Sequence, residues 1–146
     1  LTIIKKSVEA DIEFQEMADF YQAVLHYENR TYCITDDEAF KLLQSVEATE
    51  YLDDFDNHIT TRAALYQAMM KINNRTTKIT DDQASELLQN IINNVDSPPD
   101  DIIQAAIYYQ QLILDIIHAK KSNDLYADLQ AIKDLNNSYA SRRRKS

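Results

Sequence analysis

Apolar residues return along much of the chain at steps of three and four positions, the spacing of one face of an amphipathic helix. The first such stripe consists of Phe14, Met17, Tyr21, Val24 and Leu25. Similar stripes follow within Ala39–Val46, Leu65–Ile72, Ala84–Val95, Ile102–Ile117 and Leu125–Tyr139. The pattern predicts about six helices, at roughly 5–27, 36–51, 61–73, 81–95, 99–120 and 124–140.

One phrase occurs twice in the sequence, as NRTYCITDD from Asn29 and as NRTTKITDD from Asn74. Aligning residues 21–44 with residues 66–89, 45 positions later, gives 14 identities in 24 positions without a gap. Identity at this level indicates an internal duplication, and each copy contains two apolar stripes. The repeating unit is therefore predicted to be a pair of helices joined by the phrase.

The phrase itself carries the signals that end one helix and start the next. Thr35 with Glu38, and Thr80 with Gln83, have the spacing of a capping box, in which the two residues satisfy each other's backbone N–H groups. The paired aspartates that follow each threonine meet the positive end of the helix dipole. The asparagine that opens the phrase tolerates the left-handed conformation that a helix stop requires in a chain without glycine.

A third, degenerate copy is predicted from two short signals. The dipeptide YQ occurs at positions 21, 66 and 109, and LQ follows at positions 43, 88 and 129. Pro98 and Pro99 separate the second copy from the third, and Ser122–Asp124 resembles a helix start. We therefore expect an all-α fold of three α-hairpins, at about 5–51, 61–95 and 99–140, within one domain over 1–146 that ends in a basic tail at 141–146. The hairpins form either a short helical-repeat array or a compact helical bundle.

The amino-acid composition excludes several classes of function. The chain has no glycine, so it lacks the glycine-rich loops that cradle phosphate groups, and its one cysteine, Cys33, excludes an intramolecular disulfide. The net charge is −9, and residues 28–56 hold nine acids against two bases. Such a surface repels nucleic acid and anionic membranes and attracts basic proteins. No apolar run has the length of a membrane span, and a cytoplasmic location is favoured, although a leader removed before Leu1 stays open.

The acidic segments do not have the pattern of a metal site. Reading either loop as a calcium-binding EF-hand puts Tyr27 or Ile72 at the first ligand position, which requires oxygen, and Tyr32 or Thr77 where glycine is needed. His26 aligns with Lys71 and is expected to face solvent. We therefore expect no cofactor, no metal and no enzymatic activity.

The leading hypothesis is a non-enzymatic protein-interaction module, an adaptor or small inhibitor that binds a basic protein. The candidate contact residues are acids and tyrosines of the acidic segment together with the arginine of each phrase: Glu47, Glu50, Tyr51, Asp53, Asp54, Asp56, Tyr32, Arg30 and Arg75. Each arginine either ties its loop to acids of the neighbouring repeat or contacts a partner. An acidic mimic of nucleic acid that inhibits a DNA- or RNA-binding protein, a pocket between helices for a small ligand or a reaction, and a homo-oligomer built on the face 102–117 are the alternatives.

Overall fold

The computed structural model describes residues 2–49, 58–94 and 98–144, with side chains described for 14–49, 58–94 and 98–141. Within them lie five helices and no strand: α1 (Thr2–Tyr27), α2 (Asp36–Glu47), α3 (Ile59–Ile72), α4 (Asp81–Ile92) and α5 (Asp100–Arg144). The all-α prediction is confirmed. Where the sequence predicts one domain over residues 1–146, packing groups the chain into two units, residues 1–113 and residues 114–146.

Helices α1 and α3 end in the same way, with asparagine taking the place of glycine. Asn29 and Asn74 are left-handed, with φ of 61° and 58°. After α1, the Arg30 N–H donates to the Leu25 carbonyl at 2.9 Å and the Asn29 N–H to the His26 carbonyl at 3.0 Å. These two bonds form a Schellman motif, and the Arg75 and Asn74 N–H groups repeat it after α3. Each helix therefore stops at a defined residue.

Helices α2 and α4 begin with the same pair of hydrogen bonds. The Thr35 hydroxyl accepts from the Glu38 N–H at 3.1 Å, and Glu38 Oε1 accepts from the Thr35 N–H at 3.3 Å. At α4 the Thr80 hydroxyl accepts from the Gln83 N–H at 3.1 Å, and Gln83 Oε1 accepts from the Thr80 N–H at 2.9 Å. Each start is a capping box. The end of the first helix, the loop and the start of the second helix thus have the same structure in both copies.

The core of residues 1–113 forms where successive helices pack on one another: α1 on α2, α2 on α3, α3 on α4, and α1 also on α3. Its largest fully buried side chains are Phe40, Leu43, Val46, Ile59, Met70, Leu88, Ile102 and Ile113. A polar side chain also crosses between α3 and α2 in this core: the buried Gln67 amide of α3 donates to the Leu43 carbonyl and to the Glu47 carboxylate of α2. A buried amide without such acceptors would be costly, so this pair fixes how α3 sits on α2.

The described residues contain five helices where six are predicted, because α5 runs without a break through Ser122–Asp124. The reason is local. Serine, asparagine and aspartate disfavour a helix interior by well under about 1 kcal/mol each, and the segment holds neither proline nor glycine. A capping residue stabilises a helix start only where the chain has already turned.

Candidate protein-interaction surface

The Arg75 side chain joins the two sequence copies. Its Nε and Nη2 donate to Asp36 Oδ1 at 3.1 and 2.8 Å, Nη1 donates to the Tyr27 carbonyl at 2.6 Å, and Nη2 also reaches the His26 carbonyl at 3.3 Å. These carbonyls are the negative end of α1, and Asp36 opens α2. The guanidinium also lies over the Tyr27 ring, 5.1 Å from its centre. One side chain from the second loop therefore clamps the end of α1 to the start of α2.

Asp36 is the shared acceptor of this cluster. His26 Nε2 lies 2.7 Å from the same Oδ1 atom, and the His26 ring is buried instead of facing solvent as predicted. The hydrogen bond from Arg75 holds the pKa of the Asp36 carboxyl below its usual range. Burial opposes this effect, and the hydrogen bond with His26 adds a smaller lowering. Burial in turn raises the pKa of the Tyr27 hydroxyl, which accepts a hydrogen bond from Asn73. The cluster keeps a carboxylate charged and a tyrosine neutral, which suits a structural clamp.

The two equivalent arginines are used differently. Arg75 is largely buried and is bonded to Asp36 and to α1. This is one of the two roles predicted from the sequence, a contact between the arginine and an acid of the neighbouring copy. The Arg30 side chain remains 69% exposed, and its nearest acid is Glu28 of its own loop, at 3.7 Å. The same three-letter motif thus gives one internal clamp and one arginine at the surface.

Around Arg30 the loop presents a charged, aromatic surface. Tyr32 is 85% exposed, and the acids that flank it in sequence, Glu28, Asp37 and Glu38, are exposed as well. We call Glu28, Arg30, Tyr32, Asp37 and Glu38 the first-loop surface. Both of its ends are fixed, by the Schellman motif of α1 and by the capping box of α2. A partner therefore meets a preformed loop.

The corresponding positions after α3 carry different chemistry. Asn73, Thr77 and Gln83 stand in place of the two glutamates and the tyrosine of the first loop, while Asp82 keeps the acid and Arg75 lies in the clamp. Residues 26–38 hold four acids and one base, whereas residues 71–83 hold two acids and three bases. Two loops of the same backbone geometry thus have net charges of opposite sign.

Two surface clefts border the first-loop surface. One, of about 390 Å³, lies between the start of α2 and the second loop, where Asp36 and Asp37 face Asn74 and Thr76. The other, of about 360 Å³, is lined by Asp37, Glu38, Phe40, Lys41, Gln44 and Lys78. Asp36 is already bonded to Arg75, which lines the first cleft, and two lysines line the second. Asp37, which lines both clefts, is therefore the carboxylate that can receive a lysine or arginine side chain.

The remaining candidate residues fall elsewhere. Glu47 is half-buried and accepts from Gln67, so it supports the packing of α3 on α2. Thr35, Glu38, Thr80 and Gln83 form the capping boxes. Five candidates lie outside the described residues: Glu50, Tyr51, Asp53, Asp54 and Asp56. Sequence reasoning missed Asp36 and His26 as clamp residues, and only the pairing of Asp36 with the arginine of the other copy could have indicated them.

Among the residues that the structure describes, no group of three or more histidine, cysteine, aspartate or glutamate side chains is arranged to hold a metal ion. No helix among them combines the length and the apolar character needed to cross a membrane. Comparison with known proteins gives no match, whether to a family model, to a curated protein or to a solved structure.

Proposed function

We propose that this chain is a non-enzymatic protein-interaction module that binds a basic partner through the first-loop surface, as an adaptor or small inhibitor. The observation that carries the proposal is Tyr32, which stands 85% exposed between exposed carboxylates on a loop fixed at both ends. A tyrosine contributes a large contact area at low entropic cost, and a preformed loop loses little freedom on binding.

Electrostatics supports a basic partner. The acids at Glu28, Asp37 and Glu38 are exposed, and Asp37 lies on the rim of both clefts. Exposed carboxylates that surround an aromatic anchor mainly raise the rate of encounter with a basic protein and select against acidic ones. Binding of this kind weakens as salt rises.

We also propose that α1 with α2, and α3 with α4, are two copies of one structural repeat, and that α5 contains a third. The proposal is supported by the matching Schellman motifs, the matching capping boxes and the sequence duplication. In this arrangement Arg75 is a contact between repeats, which leaves Arg30 of the first repeat for a partner.

The duplication supplies a matched test of the interaction surface. Replacing Glu28→Asn, Tyr32→Thr and Glu38→Gln gives three positions of the first-loop surface the residues found in the second copy. Gln83 shows that glutamine sustains a capping box. The wild-type chain and this triple variant are immobilised and offered a library of lysine- and arginine-rich peptides at about 50 and 200 mM salt. The control is Asp82→Asn, which removes an exposed acid from the second loop.

We expect the wild type and the control to retain a common set of basic peptides at low salt and the triple variant to lose at least tenfold in affinity. Equal binding by all three chains would refute the first-loop surface. Binding that is unaffected by salt would refute the electrostatic part of the proposal.

A further inference from the structure

The first part of α5 has the burial pattern of α3 on one side only. The YQ dipeptides of the second and third copies lie 43 positions apart in the sequence. Aligning α3 with α5 at this distance matches Ile59 with Ile102, Ala63 with Ala106 and Met70 with Ile113. All six side chains are at most 1% exposed, and the three of α3 belong to the core formed with α1 and α2. This side of α5 is therefore buried as the corresponding side of α3 is.

On the opposite side of the two helices, equivalent residues differ in burial. Ala64 and Leu65 of α3 are 7% and 6% exposed, and Ala64 shares a cleft lining with Leu87 and Ile91 of α4. The same shift puts Ile107 and Tyr108 at these positions, where they are 45% and 62% exposed. Helix α4 packs on this side of α3, whereas the corresponding side of α5 is exposed to solvent.

The last part of α5 carries the apolar stripe from which the sequence predicts a sixth helix. Shifting α4 by 41 positions, as the LQ dipeptides require, aligns Ala84, Leu88 and Ile91 with Leu125, Leu129 and Ile132. The three residues of α4 are at most 4% exposed, whereas those of α5 are 60%, 57% and 56% exposed. Leu135 and Tyr139 continue the stripe and are 70% and 63% exposed. Five apolar side chains exposed along one stripe of a helix are typical of an interaction surface.

We propose that a second copy of this chain covers both surfaces: the stripe Leu125–Tyr139 of each copy packs, antiparallel, on Ile107 and Tyr108 of the other. The exchange gives each copy the helix–helix contact that α4 makes with α3. It is isologous, so it closes as a twofold dimer. It uses a surface separate from the first-loop surface and depends on the repeat relationship alone.

The repeat also sets the direction of the pairing. Helices α3 and α4 pack on each other and are joined by the short segment 73–80, as antiparallel neighbours are. The exchanged pair is expected to keep this direction.

The register is defined by the repeat. Leu65 of α3 and Leu88 of α4 are 6% and 0% exposed, and the shifts of 43 and 41 positions place Tyr108 and Leu129 at these two positions. We therefore expect Tyr108 of one copy to contact Leu129 of the other. The test uses the full chain with Cys33→Ser. Chains carrying Tyr108→Cys and Leu129→Cys are mixed, equilibrated and treated with a short thiol-reactive cross-linker, and each variant is also treated alone.

We expect light scattering to give twice the 16.9 kDa of the chain and cross-linking to join Tyr108→Cys to Leu129→Cys but not Leu129→Cys to itself. Leu129→Asp should shift the mass to that of a monomer, while Ala131→Asp, on the opposite face of the helix, should not. Because Leu129 is exposed, circular dichroism of the variant should remain helical. A monomeric wild type at about 50 μM, or cross-linking of Leu129→Cys to itself, would overturn the proposal.

Discussion

The Arg75 guanidinium donates two hydrogen bonds to one oxygen of Asp36, at 3.1 and 2.8 Å, across 39 positions of sequence. It belongs to the loop of the second copy, and Asp36 begins the second helix of the first. The same guanidinium bonds to the last carbonyls of α1, so three helix ends meet on one side chain. This contact links the two sequence copies at the ends of their helices.

Arg75→Ala should lower the free energy of unfolding by about 2 kcal/mol, because it leaves Asp36 and two carbonyls without a charged donor in a partly buried site. Urea denaturation followed by circular dichroism measures the change. Arg30→Ala removes the same side chain from an exposed position and should change stability by less than about 0.5 kcal/mol. Equal effects would show that the clamp does not stabilise the fold.

The clamp should also make the free energy of unfolding depend on pH under acidic conditions. The pKa of Asp36 is lowered in the folded protein from its ordinary value of 3.8, chiefly by Arg75. The stabilisation it gives is therefore present above that value and is lost as pH falls through the lower pKa of the folded state. In urea denaturation between pH 2 and 6, the wild type should lose its advantage over Asp36→Asn as pH falls. A constant difference across this range would contradict the prediction.

The capping boxes should contribute equally in the two copies. Thr35→Ala and Thr80→Ala each remove a hydroxyl that accepts a backbone N–H, and each should lower stability by about 1 kcal/mol. Glu38→Gln should leave stability nearly unchanged, since glutamine fills the same role at Gln83. Thermal unfolding of the three variants measures the effects. A loss in Glu38→Gln as large as that in Thr35→Ala would show that the charge of Glu38, and not its hydrogen bond, supports the helix.

The left-handed asparagines should tolerate glycine and reject alanine. At Asn74, φ is 58°, where a Cβ atom without a polar group costs about 1 kcal/mol. Asn74→Ala should therefore be destabilising by about that amount, and Asn74→Gly should be neutral or slightly stabilising. Chemical denaturation of both variants, with the same pair at Asn29, measures the difference. A stable Asn74→Ala variant would mean that the loop can take another conformation.

The sequence by itself determined the local structure of the chain. The stripes predict helices, and the threonine and asparagine signals place the boundaries of the loops after α1 and α3 closely, because they act between residues at most five positions apart. The helix ends without such signals were less accurate: α2 ends at Glu47 rather than at 51, and α4 at Ile92 rather than at 95.

The tertiary structure alone decided how equivalent residues are used. Arg30 and Arg75 stand in the same motif, yet only Arg75 has Asp36 and the end of α1 within reach. His26 is buried although it aligns with Lys71, because the clamp closes over it. The continuity of α5 is a different case, because its reason is local: the signals at Ser122–Asp124 are too weak to end a helix. Local hydrogen bonds can be read from neighbouring residues, whereas a contact across 39 positions depends on where the helices lie.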